Sequence, residues 1–316
     1  MCNVGGECDM SENKVIVVAG PTASGKSALA MDLAIKLNGV VINADSMQVY
    51  KDMPIISAVP TPEDRAKVEH RLYEIYDPSF RGNVVDWLKK AIDEIRNVWA
   101  EGKLPVVVGG TGLYIENLIK GTTPVPPTPD EIRDKVQKMM DAEGVEFVYE
   151  KLKEVDPRSA QKINENDAVR IKRAYEVFLH TGEMMSVWQK KPLIQNLPEA
   201  QFFTIKLCPS VEELDRLSYA RFDYMIQNGA INEVQKLYKR KLDPSLPAMK
   251  ALGVPELIEY FRGKKNIYLA AQDAKLHTRQ YAKRQRTWFK NRLQADFVLS
   301  KCYKGHFPEE VLELLK

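Results

Sequence analysis

The 316-residue sequence predicts an α/β fold, a parallel sheet with helices on both faces, interrupted by an inserted helical domain. Through the first third, β-rich apolar runs alternate with helical patterns, as they do when a parallel sheet is covered on each side. A proline-rich connector, Pro124-Val125-Pro126-Pro127-Thr128-Pro129, then stops that rhythm, and no convincing strand follows from 130 to about 191. A β-rich run returns at Phe202-Phe203-Thr204-Ile205-Lys206-Leu207 and rejoins the sheet. The expected divisions are a disordered leader at 1–13, a core made of 14–128 and 201–316, and a helical insertion at 129–200.

Taken in order, the first apolar run is Val15-Ile16-Val17-Val18-Ala19, and it leads into Gly20-Pro21-Thr22-Ala23-Ser24-Gly25-Lys26-Ser27. This matches G-x-x-x-x-G-K-[ST], in which backbone N–H groups curl round phosphate oxygens, the lysine supplies a point charge and the serine hydroxyl can hold Mg2+. The helical pattern that follows adds its positive N-terminal end. The bland alternative is a surface glycine loop capping a helix.

A nucleotide-hydrolysing protein with such a loop usually has a later apolar strand ending in an acid that helps place magnesium. Here Leu104-Pro105-Val106-Val107-Val108 runs into Gly109-Gly110-Thr111-Gly112 instead. The acid stands elsewhere, at Asp45, after Val40-Val41-Ile42-Asn43-Ala44. At a strand's carboxyl end it faces the ligand crevice, as a magnesium-water anchor or a general base. An N-cap for a following helix is the plainer reading.

Val85, Leu88, Ile92, Ile95 and Trp99 recur at spacings of three and four, one apolar helix face between the second and third strands, ending at Gly102. Within the insertion, Asp167 opens a helix that turns Ile171, Ala174, Tyr175 and Phe178 inward and leaves Arg170 and Arg173 on another face, where a solvated surface is the ordinary explanation. After the returning strand, Ser210-Val211-Glu212-Glu213 reads as a capping box. The run at 275–292, KLHTRQYAKRQRTWFKNR, carries seven Lys and Arg, no acid, and the rings of Tyr281, Trp288 and Phe289. It concentrates charge for a phosphate backbone and offers rings for stacking, whereas a merely soluble helix face normally mixes in acids.

A hydrophobic content of 44% can fill one large core or two modest ones. The net charge of +3 is too small to name a partner, so a nucleic-acid signal has to come from local clustering. Cys2, Cys8, Cys208 and Cys302 lack ligand spacing, which argues against a metal cluster or a disulfide framework. With no signal-like leader and no apolar run approaching the ~20 residues of a bilayer span, the cytoplasm is the expected compartment.

Read together, GPTASGKS, ADSMQVYKDM, PVVVGGTGLY, RFDYM, AMKALGVPEL and TRQYAKRQRTWF resemble the bacterial tRNA dimethylallyltransferase family, over about 14–289. The resemblance implies a P-loop kinase-like core whose helical insertion grips the anticodon stem-loop. The implied reaction moves a dimethylallyl group from its diphosphate to N6 of the adenosine 3′ of the anticodon. Gly20, Pro21, Thr22, Ala23, Ser24, Gly25, Lys26 and Ser27 would then hold the leaving diphosphate, with Mg2+ on Ser27. By the same resemblance Asp45 is the general base, Thr111 bonds near the bridging oxygen and Arg221 helps hold the diphosphate; from its residues alone Arg221 would be a paired surface arginine. RNA contacts fall to Ser46, Met47, Gln48, Arg133, Arg170, Arg173, Lys250, Lys283, Arg284, Gln285 and Thr287. Transfer RNA and dimethylallyl diphosphate are the expected partners, no membrane is expected, and a monomer is expected.

One stretch departs from the family. Many members carry Ile-Gly-Thr-Ala-Lys-Pro where this chain has Ile55-Ile56-Ser57-Ala58-Val59-Pro60, while His70-Arg71-Leu72 and Asp77-Pro78 keep the surrounding frame. His70 is read as structural. Three rivals remain: a prenyltransferase acting on free adenine nucleotides, a small-metabolite kinase with Asp45 as base, and a non-catalytic RNA-binding protein. A small nucleotide would not need the insertion or the cationic stripe, which weighs against the first.

Overall fold

Apolar runs too short for helices and flanked by turn residues become the central strands, and in the computed structural model, which describes residues 13–315, there are six strands in all. They are β1 (Lys14–Ala19), β2 (Gly39–Asn43), β3 (His70–Arg71), β4 (Leu104–Gly109), β5 (Gln201–Leu207) and β6 (Phe297–Leu299). All pair in parallel in the order β3-β2-β4-β1-β5-β6. Every residue of β2 and β4 is buried, as expected of strands covered on both faces. Because β4 slots between β1 and β2, with Ile16 beside Val106 and Ile42 beside Val107, the turns that leave these three strands emerge side by side. The leader expected at 1–13 lies, apart from Asn13, outside the described residues.

Alternating side chains feed two apolar layers. Val15, Val17 and Ala19 meet Trp87, Ile95, Ile115 and Phe289 on one face, while Ile16 and Val18 meet Leu29, Leu33 and Val311 on the other. The helix Val84–Ala100 starts where Asn83 accepts from the N–H groups of Val85 and Asp86, and it buries Leu88, Ile92 and Ile95. Val85, expected on that face, is 67% exposed because it sits in the capped first turn. The two-residue strand β3 precedes this helix, so the helix joins the third and fourth strands rather than the second and third.

Ser210 caps the helix Val211–Gln227 through the N–H of Glu213, but only half of the expected box forms. The Glu213 carboxylate turns instead to the N–H of Cys302 and the ammonium of Lys304. The basic run occupies the end of one long helix, Ile267–Arg292, which buries Ala274, Thr278, Ala282, Gln285 and Phe289.

The chain divides into two units, of which the second is Lys120–Asn196 and the first is the remainder. The second unit includes the proline-rich connector, because Thr122 and Ile194 form an antiparallel bridge that closes the excursion at its base. Its helices Asp130–Val155, bent at Gly144, and Ala168–Thr181 share a core of Val136, Val148, Leu152, Ile171, Ala174 and Tyr175. Buried Asp156 ties the short helices down, accepting from Ser159 and from the N–H of Ser186. Among the described residues, no helix is long and apolar enough to cross a membrane.

Candidate active site

Three loops from the adjacent strands β2, β4 and β1 build the site. The glycine loop after β1 closes at Gly25, whose φ is +83°, and a Cβ there would stand 2.3 Å from the carbonyl oxygen of Tyr303. Only glycine meets both conditions. Lys26 opens the helix Lys26–Lys36 and its Nζ donates back across the loop to the Pro21 carbonyl at 3.3 Å. Burial lowers the Lys26 ammonium to about 8; Asp45 pulls it upward and Arg221 adds to the fall. The Ser24 hydroxyl is buried with no hydrogen-bond partner, an unmet polar group inside the loop. Ser27 is exposed at its mouth.

After β2, buried Asn43 frames the acid. Its Oδ1 accepts from the N–H of Asp45 at 2.9 Å, and its Nδ2 donates to the Asp45 carbonyl at 3.1 Å. Asp45 Oδ1 then accepts from the N–H of Met47 at 3.0 Å, a local turn, and no helix follows directly. The N-cap reading therefore fails, and Oδ2 makes no hydrogen bond among the described residues. After β4, Thr111 locks the two loops together: its N–H donates to the Ala44 carbonyl at 3.3 Å and its Oγ1 accepts from the N–H of Ser46 at 2.9 Å.

Arg221 comes from the helix Val211–Gln227 and donates to the Thr22 hydroxyl. It has no ion pair among the described residues, so it is not the paired surface arginine that its helix suggests. Burial lowers its pKa, partly offset by the charge of Asp45. An unpaired guanidinium beside an unpaired ammonium is a site prepared for an anion. A cavity of about 390 Å³ opens against Thr22, Asp45, Ser46 and Arg221, and the apolar side chains of Met47, Ile56, Phe222, Met225 and Leu252 complete it.

The residues expected to meet RNA fall into groups. Ser46 and Met47 line the cavity, with Lys250 and Arg284 also on its wall. Lys283, Arg284 and Thr287 are exposed along one side of the long basic helix. Gln48 spends its amide nitrogen on the carbonyls of Ser57 and Ala58, at 3.0 and 2.7 Å. It thus pins the stretch that departs from the family. Gln285 is buried, with both ends of its amide taken by the protein. In the second unit Arg133 and Arg170 are exposed and paired with Asp130 and Asp167, whereas Arg173 is half-buried and donates to Thr128 Oγ1 at 2.5 Å. His70 is structural: Nδ1 lies 2.8 Å from the Val68 carbonyl and the ring meets Tyr73 edge-on.

Of the three rings in the basic run, Phe289 belongs to the core and Trp288 covers Gly112, where a Cβ would come within 2.4 Å of the indole. Tyr281 alone lines the cavity, with the Arg284 guanidinium 5.8 Å from its ring centre. Sequence reasoning missed Ser218, which also lines the cavity with a buried hydroxyl lacking a partner. Its one signal was a spacing of three from Arg221, too weak to act on alone. Among the described residues no group of three or more His, Cys, Asp or Glu gathers to hold a metal.

The IPP transferase family model matches residues 48–292. The chain is 45% identical over 297 residues to the tRNA dimethylallyltransferase of Bradyrhizobium sp. (strain ORS 278), covering 94% of this chain and 96% of that one. It is 43% identical to the tRNA dimethylallyltransferase of Nitrobacter hamburgensis, with 91% of each covered. Among solved structures, the full-length tRNA isopentenylpyrophosphate transferase of Bacillus halodurans superposes with a TM-score of 0.67 at 31% identity, over 96% of this chain and 94% of that one. A eukaryotic dimethylallyltransferase acting on tRNA gives a TM-score of 0.79 at 27% identity, over 96% and 84%.

Proposed function

Because this chain belongs to the IPP transferase family, we infer that it transfers a dimethylallyl group from dimethylallyl diphosphate to N6 of the adenosine 3′ of the anticodon in tRNA. It is a tRNA dimethylallyltransferase, a prenyl transferase. The observation that carries the site assignment is the convergence of an anion-ready loop, an unpaired arginine and a free carboxylate oxygen on one cavity with apolar walls.

The bond that forms joins N6 of the adenine to C1 of the allyl group, and the bond that breaks joins C1 to the bridging oxygen of the diphosphate. The departing electron pair stays on that oxygen. Loop N–H groups, Lys26 and Arg221 face the charge as it builds, which is where preorganised donors lower a barrier. The proton leaving N6 passes to Asp45 Oδ2, while Oδ1 remains held by the N–H of Met47. Thr111 keeps the two loops in register through Ser46. The apolar side chains on the cavity wall suit the prenyl tail.

The donor set fits Mg2+. One exposed serine hydroxyl, with no group of three or more His, Cys, Asp or Glu among the described residues, suits a hard ion that takes most of its ligands from phosphate oxygens and water. Ser27 would hold it, and the ion would neutralise charge on the leaving diphosphate. The exposed cations at 283 and 284 suit phosphates of the stem-loop, as do Arg133 and Arg170. A tRNA substrate favours the cytoplasm as the compartment, and a monomer is the proposed working state.

The test supplies dimethylallyl diphosphate, ATP, AMP and an anticodon stem-loop together and seeks N6-prenyl adenosine by mass. Prenylated RNA is the expected product. Prenylated AMP, or a phosphorylated small acceptor at the expense of ATP, would overturn the reading.

A further inference from the structure

Gln285 stands on the same turn of the long basic helix as Lys283, Arg284 and Thr287, yet it is 6% exposed while they are open to solvent. Its Oε1 accepts from the N–H of Thr22 at 2.8 Å, and its Nε2 donates to the Gly110 carbonyl at 2.8 Å. One amide therefore joins the helix to the glycine loop and to the loop that carries Thr111. The approach is close enough to dictate sequence: a Cβ on Gly110 would lie 2.4 Å from Nε2 and 3.3 Å from Asp45 Oδ2.

The connections continue on both sides. Thr22 is held at its N–H by Gln285 and at its hydroxyl by Arg221. Beyond Gly110, Thr111 holds Ala44 and Ser46, the residues flanking Asp45. A displacement of the basic helix is thus carried by hydrogen bonds to the leaving-group loop and to the base. Turning the Gln285 amide towards an RNA base would break both buried bonds and leave the Thr22 N–H and the Gly110 carbonyl without partners.

We propose that Gln285 is a positioning residue that couples RNA docking on the basic helix to the geometry of the glycine loop and Asp45, rather than a residue that reads the RNA. The coupling rests on the function inferred above. Stem-loop phosphates settle Lys283 and Arg284, the helix settles Gln285, and the amide sets the span between the diphosphate and the amine it is to meet. By reciprocity, diphosphate in the loop strengthens RNA binding by the same factor that RNA strengthens diphosphate binding.

Two measurements on the full chain test this, with thermal melts confirming that each variant is folded. The first follows pyrophosphate binding calorimetrically, with and without a stem-loop. The parent is expected to bind pyrophosphate about 5- to 100-fold more tightly with RNA present, and Gln285→Leu to bind it equally in both conditions. The second compares stem-loop affinity with the single-turnover rate at saturating RNA. Gln285→Leu should lose about 10- to 100-fold in rate, the scale of a small misplacement at a reacting centre, with RNA affinity within about twofold of the parent. Gln285→Glu keeps the acceptor for Thr22 but donates to Gly110 only when protonated, so its rate relative to the parent should rise as pH falls.

A parent showing no linkage between pyrophosphate and RNA overturns the proposal, as does a Gln285→Leu variant with weakened RNA binding and a parental saturating rate. A parent that shows the linkage but leaves the stem-loop unprenylated overturns the functional reading and leaves the coupling standing.

Discussion

Removing the charge of Lys26 should make the ligand-free protein more stable while destroying its activity. The ammonium lies where burial and Arg221 oppose its charge and only Asp45 favours it, and its pKa falls from 10.5 to about 8. At 1.36 kcal/mol per unit, holding that charge at neutral pH costs about 3 kcal/mol, an upper figure because the residue as a whole is only half-buried. Lys26→Met keeps the stem, relieves the cost and forfeits the bond to the Pro21 carbonyl, worth about 1 kcal/mol. The net gain is about 2 kcal/mol, or a rise in Tm of about 3 °C for a chain of this length.

The pH dependence has a definite sign. Between pH 8 and 10.5 the unfolded chain binds the lysine proton and the folded chain has released it, so stability of the parent rises with pH across that window. Below about pH 8 both forms are protonated and the penalty is complete. The gap between variant and parent should therefore be widest at pH 7 and shrink towards pH 10.5. Scanning fluorimetry in phosphate-free buffer measures it directly. A Lys26→Met protein that melts at or below the parent temperature at pH 7 would refute the idea that the loop stores an uncompensated charge for its ligand.

Other substitutions separate the parts. Asp45→Ala should lower turnover by about 10²- to 10⁴-fold with RNA affinity nearly intact, and unchanged turnover in a prenylation assay removes Asp45 from the mechanism. Arg284→Ala should weaken tRNA binding and reduce the slope of log affinity against log salt by about one if its contact is to phosphate; a parental slope in filter binding counts against that contact. Gly25→Ala places a methyl against the Tyr303 carbonyl at a φ of +83°, so it should destabilise the fold by more than about 1 kcal/mol in urea titration and impair diphosphate binding; a neutral result would mean that the loop moves freely.

The central strands were legible because runs such as Val15-Ile16-Val17-Val18 need burial on both faces, and the loop at Gly20 was legible because its spacing serves a backbone geometry. Edge strands were not. His70-Arg71 and Phe297-Val298-Leu299 are too short for a periodic signal and become strands only because β2 and β5 offer them a partner. Within the site, Asp45 was legible from its place at a strand's carboxyl end and Arg221 only through the resemblance; Asn43 holds the backbone of the acid and the arginine donates to Thr22. Gln285 was assigned to RNA by the resemblance, together with its exposed neighbours Lys283, Arg284 and Thr287. A helix turns by about 100° per residue, so it can face the core while its neighbours face solvent. The half-formed cap at Ser210 has a similar cause, since Glu213 found a distant partner in Cys302 that no local motif could announce.

The glycine loop and the strand before it lie 263 to 301 residues away from contacts that brace them. The Thr22 N–H waits for Gln285, the Ser24 carbonyl for the N–H of Tyr303, and Lys14 for the carbonyl of Leu315. Even β1 has one neighbour, β5, that is translated only after the whole second unit. The grip on an anion is thus completed by residues on the far side of the second unit rather than by the loop's own neighbours in sequence. A chain cut before Gln285 would keep five of the six strands and lose this brace on the loop.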